Sequence, residues 1–113
     1  MKGIELVVDA VSPVFTKSKL KKMLLELCEL VEMFPISRVY IVKGADYNPG
    51  LTGCVFVEFS SITIHTFTRG NREVFLLNLH SCKDFDTRKV KSYLRKKGIS
   101  QISSRVLTRK FKV

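Results

Sequence analysis

Residues 51–81 read LTGCVFVEFSSITIHTFTRGNREVFLLNLHS, and the fold turns on them. Three strand-like runs, Leu51 to Phe59, Ser61 to Thr68 and Glu73 to Ser81, are rich in branched and aromatic residues. Arg69-Gly70-Asn71-Arg72 between the last two reads as a hairpin turn. Side chains alternate along a strand, so Phe75, Leu77 and Leu79 point one way while Asn78, His80 and Cys82 point the other. In the middle run Ile62 and Ile64 oppose Thr63, His65 and Phe67 in the same manner. One face is apolar enough to receive helices. The other is half-polar, carries the reactive side chains, and could meet a second subunit and enclose a site. One feature resists this reading: Ser60 and Ser61 stand together where a sheet core is expected, and serine is a poor strand former and a poor core residue.

Upstream, residues 3–10 read as a first strand, broken by Ser12-Pro13. From Lys17 to Met33, Leu20, Met23, Leu24, Leu27, Leu30 and Val31 recur at helical spacing, and Pro35 ends that helix. Cys28 lies beside the apolar stripe and reads as a packing residue. Ser37 to Lys43 reads as a second strand, and 44–50, with its Asn48-Pro49-Gly50, as a loop. Downstream, Asp84 or Asp86 can cap a helix with Val90, Tyr93 and Leu94 inward and Gly98 as its stop. A last strand falls within 101–112. The order β-α-β-β-β-β-α-β predicts an α+β fold: a two-layer sandwich with an antiparallel or mixed sheet and both helices on one face, in a single domain over residues 1–113.

The chain has 20 Lys and Arg against 10 Asp and Glu, a formal charge of +10. From Arg88 to Lys112 there are ten basic residues and no acidic one. Such a bias fits a solvated basic face, and equally an affinity for nucleic acid or another polyanion. No apolar run is long enough to span a bilayer and the start does not read as a signal peptide, so a cytoplasmic protein without membrane partners is expected. Cys28, Cys54 and Cys82 are odd in number, lie in different elements and fit reduced thiols. With only His65 and His80, and no cluster at metal-ligand spacing, a metal enzyme is not expected. Neither a phosphate-cradling glycine loop nor a nucleophile elbow is present.

From Gly50-Leu51-Thr52-Gly53 through Glu58-Phe59-Ser60-Ser61 to Ile64-His65-Thr66-Phe67, the chain resembles the self-processing segment of S-adenosylmethionine decarboxylase in its short prokaryotic form. That family has Gly-x-Ser-Gly, an apolar strand, Glu-Ser-His and then Ile-His-Thr-Trp. Asn78-Leu79-His80-Ser81-Cys82 is similar to the family's Asp-Val-Phe-Thr-Cys, and Leu6-Val7-Val8-Asp9 matches more weakly near the start. The resemblance implies that Ser60 attacks the carbonyl of Phe59, that the chain divides between them, and that residue 60 becomes a pyruvoyl group. That group would serve as electron sink for decarboxylation of an amino-acid-type substrate in polyamine, hence spermidine, biosynthesis. His65 then matches the processing histidine, Thr52 the serine that assists it, and Cys82 the thiol that protonates the decarboxylated carbon. Tyr47 takes the place of a substrate-site aromatic, with a gap of one residue. A homodimer is implied as well.

Departures are specific. Phe59 replaces the Glu before the cleavage serine, Ser61 replaces His, Phe67-Thr68-Arg69 replace Trp-Pro-Glu, and Asn78 replaces Asp. Negative charge is thereby removed where a sulfonium and an ammonium are to bind. Other readings therefore stay open: a related decarboxylase of another amino acid such as arginine, an unprocessed homologue with a binding or regulatory role, or a basic nucleic-acid-binding domain.

Overall fold

The computed structural model describes residues 2–58 and 60–110. Its elements are β1 (Lys2–Pro13), α1 (Lys17–Leu30), β2 (Tyr40–Lys43), β3 (Leu51–Val57), β4 (Ser60–Arg69), β5 (Arg72–Ser81), α2 (Thr87–Lys96) and β6 (Ser100–Lys110). The six strands form one sheet in the order β2-β3-β4-β5-β1-β6, with every pairing antiparallel. This order explains the two layers. β3, β4 and β5 follow one another as hairpins, whereas the chain must travel from β1 to the far edge at β2, and from β5 over β1 to β6. α1 and α2 make those two crossings and share one core with the sheet.

The alternation expected from the sequence decides which face they cover. Leu6, Val8, Val55, Val57, Ile62, Ile64, Phe75, Leu77 and Leu79 are buried against Leu20, Leu24 and Leu27 of α1 and Val90 and Leu94 of α2. Each fully buried aliphatic side chain contributes roughly 1.5–3 kcal/mol. Gly53 belongs to this face because a Cβ there would come within 3.0 Å of Leu24 and 3.1 Å of Leu20. Its lack of a side chain lets α1 lie close to β3. Gly50 has φ +151, and a Cβ would meet the Thr66 carbonyl oxygen at 1.9 Å, so the turn into β3 is closed to other residues. One carboxylate is buried in this layer. Glu73 accepts from the Phe15 N–H and the Thr68 hydroxyl, each at 2.8 Å, and so ties the start of the helical crossing to the β4–β5 hairpin.

Several boundaries differ from expectation for local reasons. β1 continues through Ser12 and Pro13, which pair with Glu73 and Arg72, because proline is tolerated where a strand ends. α1 stops at Leu30, before Pro35 can act: the Glu32 N–H donates to the Glu29 carbonyl and the Met33 N–H to the Cys28 carbonyl. This is a Schellman closure, with Glu32 at φ 57. β2 is shorter than Ser37 to Lys43, since the Phe56 N–H is taken by the Ser37 hydroxyl and the Phe56 carbonyl by the Ile36 N–H, outside a regular ladder. Asp86, rather than Asp84, caps α2, accepting from the Arg88 N–H. That hydrogen bond, followed by the Arg88 guanidinium, holds the Asp86 carboxyl below its ordinary value. Cys28 is buried as expected, and burial raises its thiol pKa. Residues 111 and 112 of the expected last strand lie outside the described residues.

Candidate active site

The hairpin of β3 and β4 sets two groups of side chains apart. Thr52 and His65 lie directly opposite one another in its ladder, on the face the helices leave uncovered. The Thr52 hydroxyl and His65 Nδ1 are 2.9 Å apart. Opposed residues on one sheet face are natural partners, and this bond orients the imidazole. When Nδ1 carries the hydrogen, Nε2 is left as the base. Beside them the loop 44–50 carries Tyr47, almost fully exposed, and a cleft of about 270 Å3 is lined by Tyr47, Thr52, Thr66 and Phe67 among others. The Thr66 hydroxyl, accepting from the Leu51 N–H at 3.0 Å, fixes the strand beneath this cleft. Tyr47, Thr52 and His65 thus form one neighbourhood.

Ser60 belongs to another. It opens β4 at the rim of the sheet, and its Oγ accepts from the Cys82 N–H at 3.1 Å. Cys82 follows the last residue of β5, where buried Ser81 both donates to the Lys83 carbonyl at 2.6 Å and accepts from the Lys83 N–H at 3.0 Å. That turn brings the backbone of Cys82 to Ser60. A cleft of about 360 Å3 is shared by Ser60, Cys82, Glu58, Glu32, Lys83 and the Met33–Phe34 segment. Lys83 Nζ donates to the Glu32 carbonyl at 2.7 Å, closing one side.

A match over residues 6–110 to the family model for S-adenosylmethionine decarboxylase covers nearly the whole chain. The chain belongs to that family. Its fold matches the crystal structure of the adenosylmethionine decarboxylase from Aquifex aeolicus VF5, with a TM-score of 0.77 at 16% identity, over 98% of this chain and 92% of that one. A comparison with curated protein sequences gives no match.

For a member of the S-adenosylmethionine decarboxylase family, the arrangement within one chain is therefore divided. Ser60 meets Cys82, and Thr52 meets His65 near Tyr47. Ser60 and His65 do not meet, because five residues of extended chain separate them by about 16 Å and their odd spacing points them to opposite faces. Phe59 lies outside the described residues. Ser61, the second serine, is on the uncovered face, between Phe56 of β3 and His80 of β5. His80 is in turn opposite Glu5, and its Nδ1 is buried with no hydrogen bond among the described residues.

Two acidic residues in the Ser60 cleft were not among the candidates read from the sequence. Glu58 stands one position before the residue at which the family carries its Glu, so a one-residue displacement of charge was legible there. Glu32 had no such signal: it enters the cleft only because α1 closes in a left-handed turn.

Proposed function

We propose that the chain is a self-processing, pyruvoyl-dependent decarboxylase of S-adenosylmethionine, working as a homodimer and supplying decarboxylated substrate for polyamine synthesis. The observation that carries this reading is the Ser60 hydroxyl held by the Cys82 backbone in a cleft with two carboxylates. Accepting the Cys82 N–H leaves the hydroxyl hydrogen available for removal and favours negative charge on the attacking oxygen. Attack on the Phe59 carbonyl forms the Ser60 ester and breaks the amide C–N bond, leaving the Ser60 nitrogen as an amine. A base then removes the Ser60 α-hydrogen and the ester C–O bond breaks. Residues 1–59 leave as a carboxylate, and the resulting dehydroalanine takes up water, loses ammonia and becomes the pyruvoyl group. Bound there, that group supplies an electron sink for decarboxylation. Glu32 and Glu58, offset in part by Lys83 in the same cleft, supply negative charge for a sulfonium and an ammonium in place of the acidic residues absent from the aligned positions.

The base must come from elsewhere than the same strand, since His65 is about 16 Å along β4 from Ser60. A second copy offers it. The uncovered sheet face mixes Thr63, Ser61 and Asn78 with half-exposed Phe56, Tyr40 and Val74, the composition of a surface meant to be covered. Under two-fold symmetry a contact that brings the His65 face of one copy against the Ser60 rim of the other recurs in reverse, so one such contact completes two sites. His65 acts there as base, Thr52 as the group that fixes its tautomer, and Tyr47 as a wall for substrate. Cys82 then returns a proton to the decarboxylated carbon.

Intact-mass measurement on freshly purified protein tests the reading. Two fragments divided between Phe59 and Ser60, the second blocked by pyruvoyl, are expected, together with release of labelled carbon dioxide from carboxyl-labelled S-adenosylmethionine. Only the intact 12.9 kDa chain would remove the proposal. Cleavage with release from arginine instead would keep the processing and replace the substrate.

A further inference from the structure

Ten of the 20 Lys and Arg of the chain belong to the helix layer, opposite the uncovered sheet face. α1 carries Lys17, Lys19, Lys21 and Lys22, all exposed. α2 carries exposed Arg88, Lys89, Arg95 and Lys96, with half-buried Lys91, and Lys97 at its cap. The helices are antiparallel neighbours. α1 runs from Phe15, packed on Phe75, to Glu32, held by Lys83; α2 runs from Asp86 back to Gly98, beside Pro13. Tyr93 and Lys97 of α2 both meet Glu26 of α1 across the seam, at 2.8 and 3.5 Å. Within the two helices Glu26 and Glu29 are the acidic residues, and Glu26 is engaged by that seam. The remaining cations form one broad solvent-facing field.

Arg95, Lys96 and Lys97 lie where the helix dipole favours cations, but the cations at the two helix starts do not. Neither helix has an acidic residue in its first turn, and both have cations there: Lys17 and Lys19 in α1, Arg88 and Lys89 in α2. The helix dipole disfavours positive charge at that end, so an external anion relieves it at the start of α1, whereas at the start of α2 the Asp86 carboxylate already accepts from the Arg88 N–H and guanidinium. Apart from exposed Leu25, the apolar side chains of both helices face the core, which leaves no continuous apolar stripe to enter a lipid surface. Among α1 and α2 residues the aromatic side chain is Tyr93, half-buried and bonded to Glu26, so there is no exposed ring on which single-stranded bases could stack. What remains is attraction to closely spaced phosphates on a rigid rod.

We infer that the helix layer binds the phosphate backbone of a nucleic-acid duplex, without base readout, through Lys19 and Lys22 of α1 and Lys89, Arg95 and Lys96 of α2. The surface is separate from the proposed decarboxylase site and does not depend on that reading. The test is fluorescence anisotropy of the full chain with a labelled mixed-sequence duplex DNA of about 24 base pairs, the matching single strand, and vesicles of phosphatidylserine and phosphatidylcholine. Neutralising about five phosphates predicts a log–log salt slope near −4.5, a roughly 500-fold loss of affinity between about 50 and 200 mM salt. Replacing Lys19, Lys22, Lys89 and Lys96 by Gln should flatten that slope by about three to four units. Arg69→Gln with Arg105→Gln, on the sheet side, should leave it unchanged. Circular dichroism and thermal melting of both variants should match the parent. An unchanged slope in the helix variant, an equal loss in the sheet-side variant, tighter binding to the single strand or to vesicles, or no binding at about 50 mM salt would each overturn the inference.

Discussion

Co-expression of Ser60→Ala chains with His65→Ala chains should restore cleavage that neither variant shows alone. On β4 the hydroxyl and the imidazole are five residues apart, about 16 Å along the strand, and on opposite faces. Proton transfer needs heavy atoms within roughly 3 Å, so a complete site takes Ser60 from one copy and His65 from the other. Ser60→Ala homodimers have no nucleophile, and His65→Ala homodimers lose roughly 100- to 10,000-fold in cleavage rate. With random pairing about half of the dimers are mixed, and each holds one complete site out of two, so about a quarter of all chains should be cleaved. The cleaved chains must be those carrying Ala at position 65, which a distinguishing mass tag on each variant makes visible by intact-mass spectrometry. Mixed dimers seen by native mass spectrometry without any cleavage, while the parent protein cleaves, would refute the shared site. So would His65→Ala homodimers that cleave at the parent rate.

Thr52→Val removes the hydroxyl 2.9 Å from His65 Nδ1 and should slow cleavage roughly tenfold or more, with little change in thermal stability, as time-resolved fragment formation would show. Glu73→Ala strands the Phe15 N–H and the Thr68 hydroxyl in a buried site and should cost about 2–4 kcal/mol in urea unfolding. Glu32→Gly relieves a left-handed φ of 57 and should gain about 1 kcal/mol of stability, while raising KM for a cationic substrate. The Tyr93 hydroxyl, ahead of the Lys97 charge, holds the Glu26 carboxyl below its ordinary value of 4.5, and burial together with Glu26 raises the Tyr93 pKa. A depressed carboxylate stabilises above its unfolded value and loses that contribution as pH falls through the folded one, so the melting difference between parent and Tyr93→Phe should be full near about pH 7 and shrink toward about pH 3; an equal difference at both would count against the assignment.

Much of the fold was legible because period and punctuation agreed. Phe75, Leu77 and Leu79 against Asn78 and His80 is a two-residue period bounded by turn residues, and β5 follows it residue by residue. Boundaries failed where a backbone group had an unforeseen partner. Ser37 takes the Phe56 N–H that a longer β2 would have used, and nothing in Ser37-Arg38-Val39 announces this. The site was legible in its residue types and less so in its geometry. A spacing of five between Ser60 and His65 marks the resemblance, yet in a strand an odd spacing means opposite faces. On the proposed function the motif names two residues that act together without being neighbours in one chain, as a site divided between symmetric copies requires.

The two helix ends show how a departure from local preference can locate function. α1 and α2 close in the same way, each with the residue after the cap in left-handed backbone and the next N–H returning to the last turn, Met33 to Cys28 and Ile99 to Leu94. α2 uses Gly98 at the left-handed position, as the missing Cβ favours. α1 uses Glu32, which costs about 1 kcal/mol or more in strain that a glycine would avoid. The difference has a partner in the structure: Glu32 lines the cleft of Ser60 and Cys82, whereas Gly98 packs against Pro13. On the proposed function, Glu32 and Glu58, which line the Ser60 cleft together with Lys83, supply negative charge in place of that removed by the exchanges at Phe59 and Asn78. On that proposal the charge for a cationic substrate comes from the end of α1 and the rim of β3, positions that a residue-by-residue alignment of the cleavage motif does not reach.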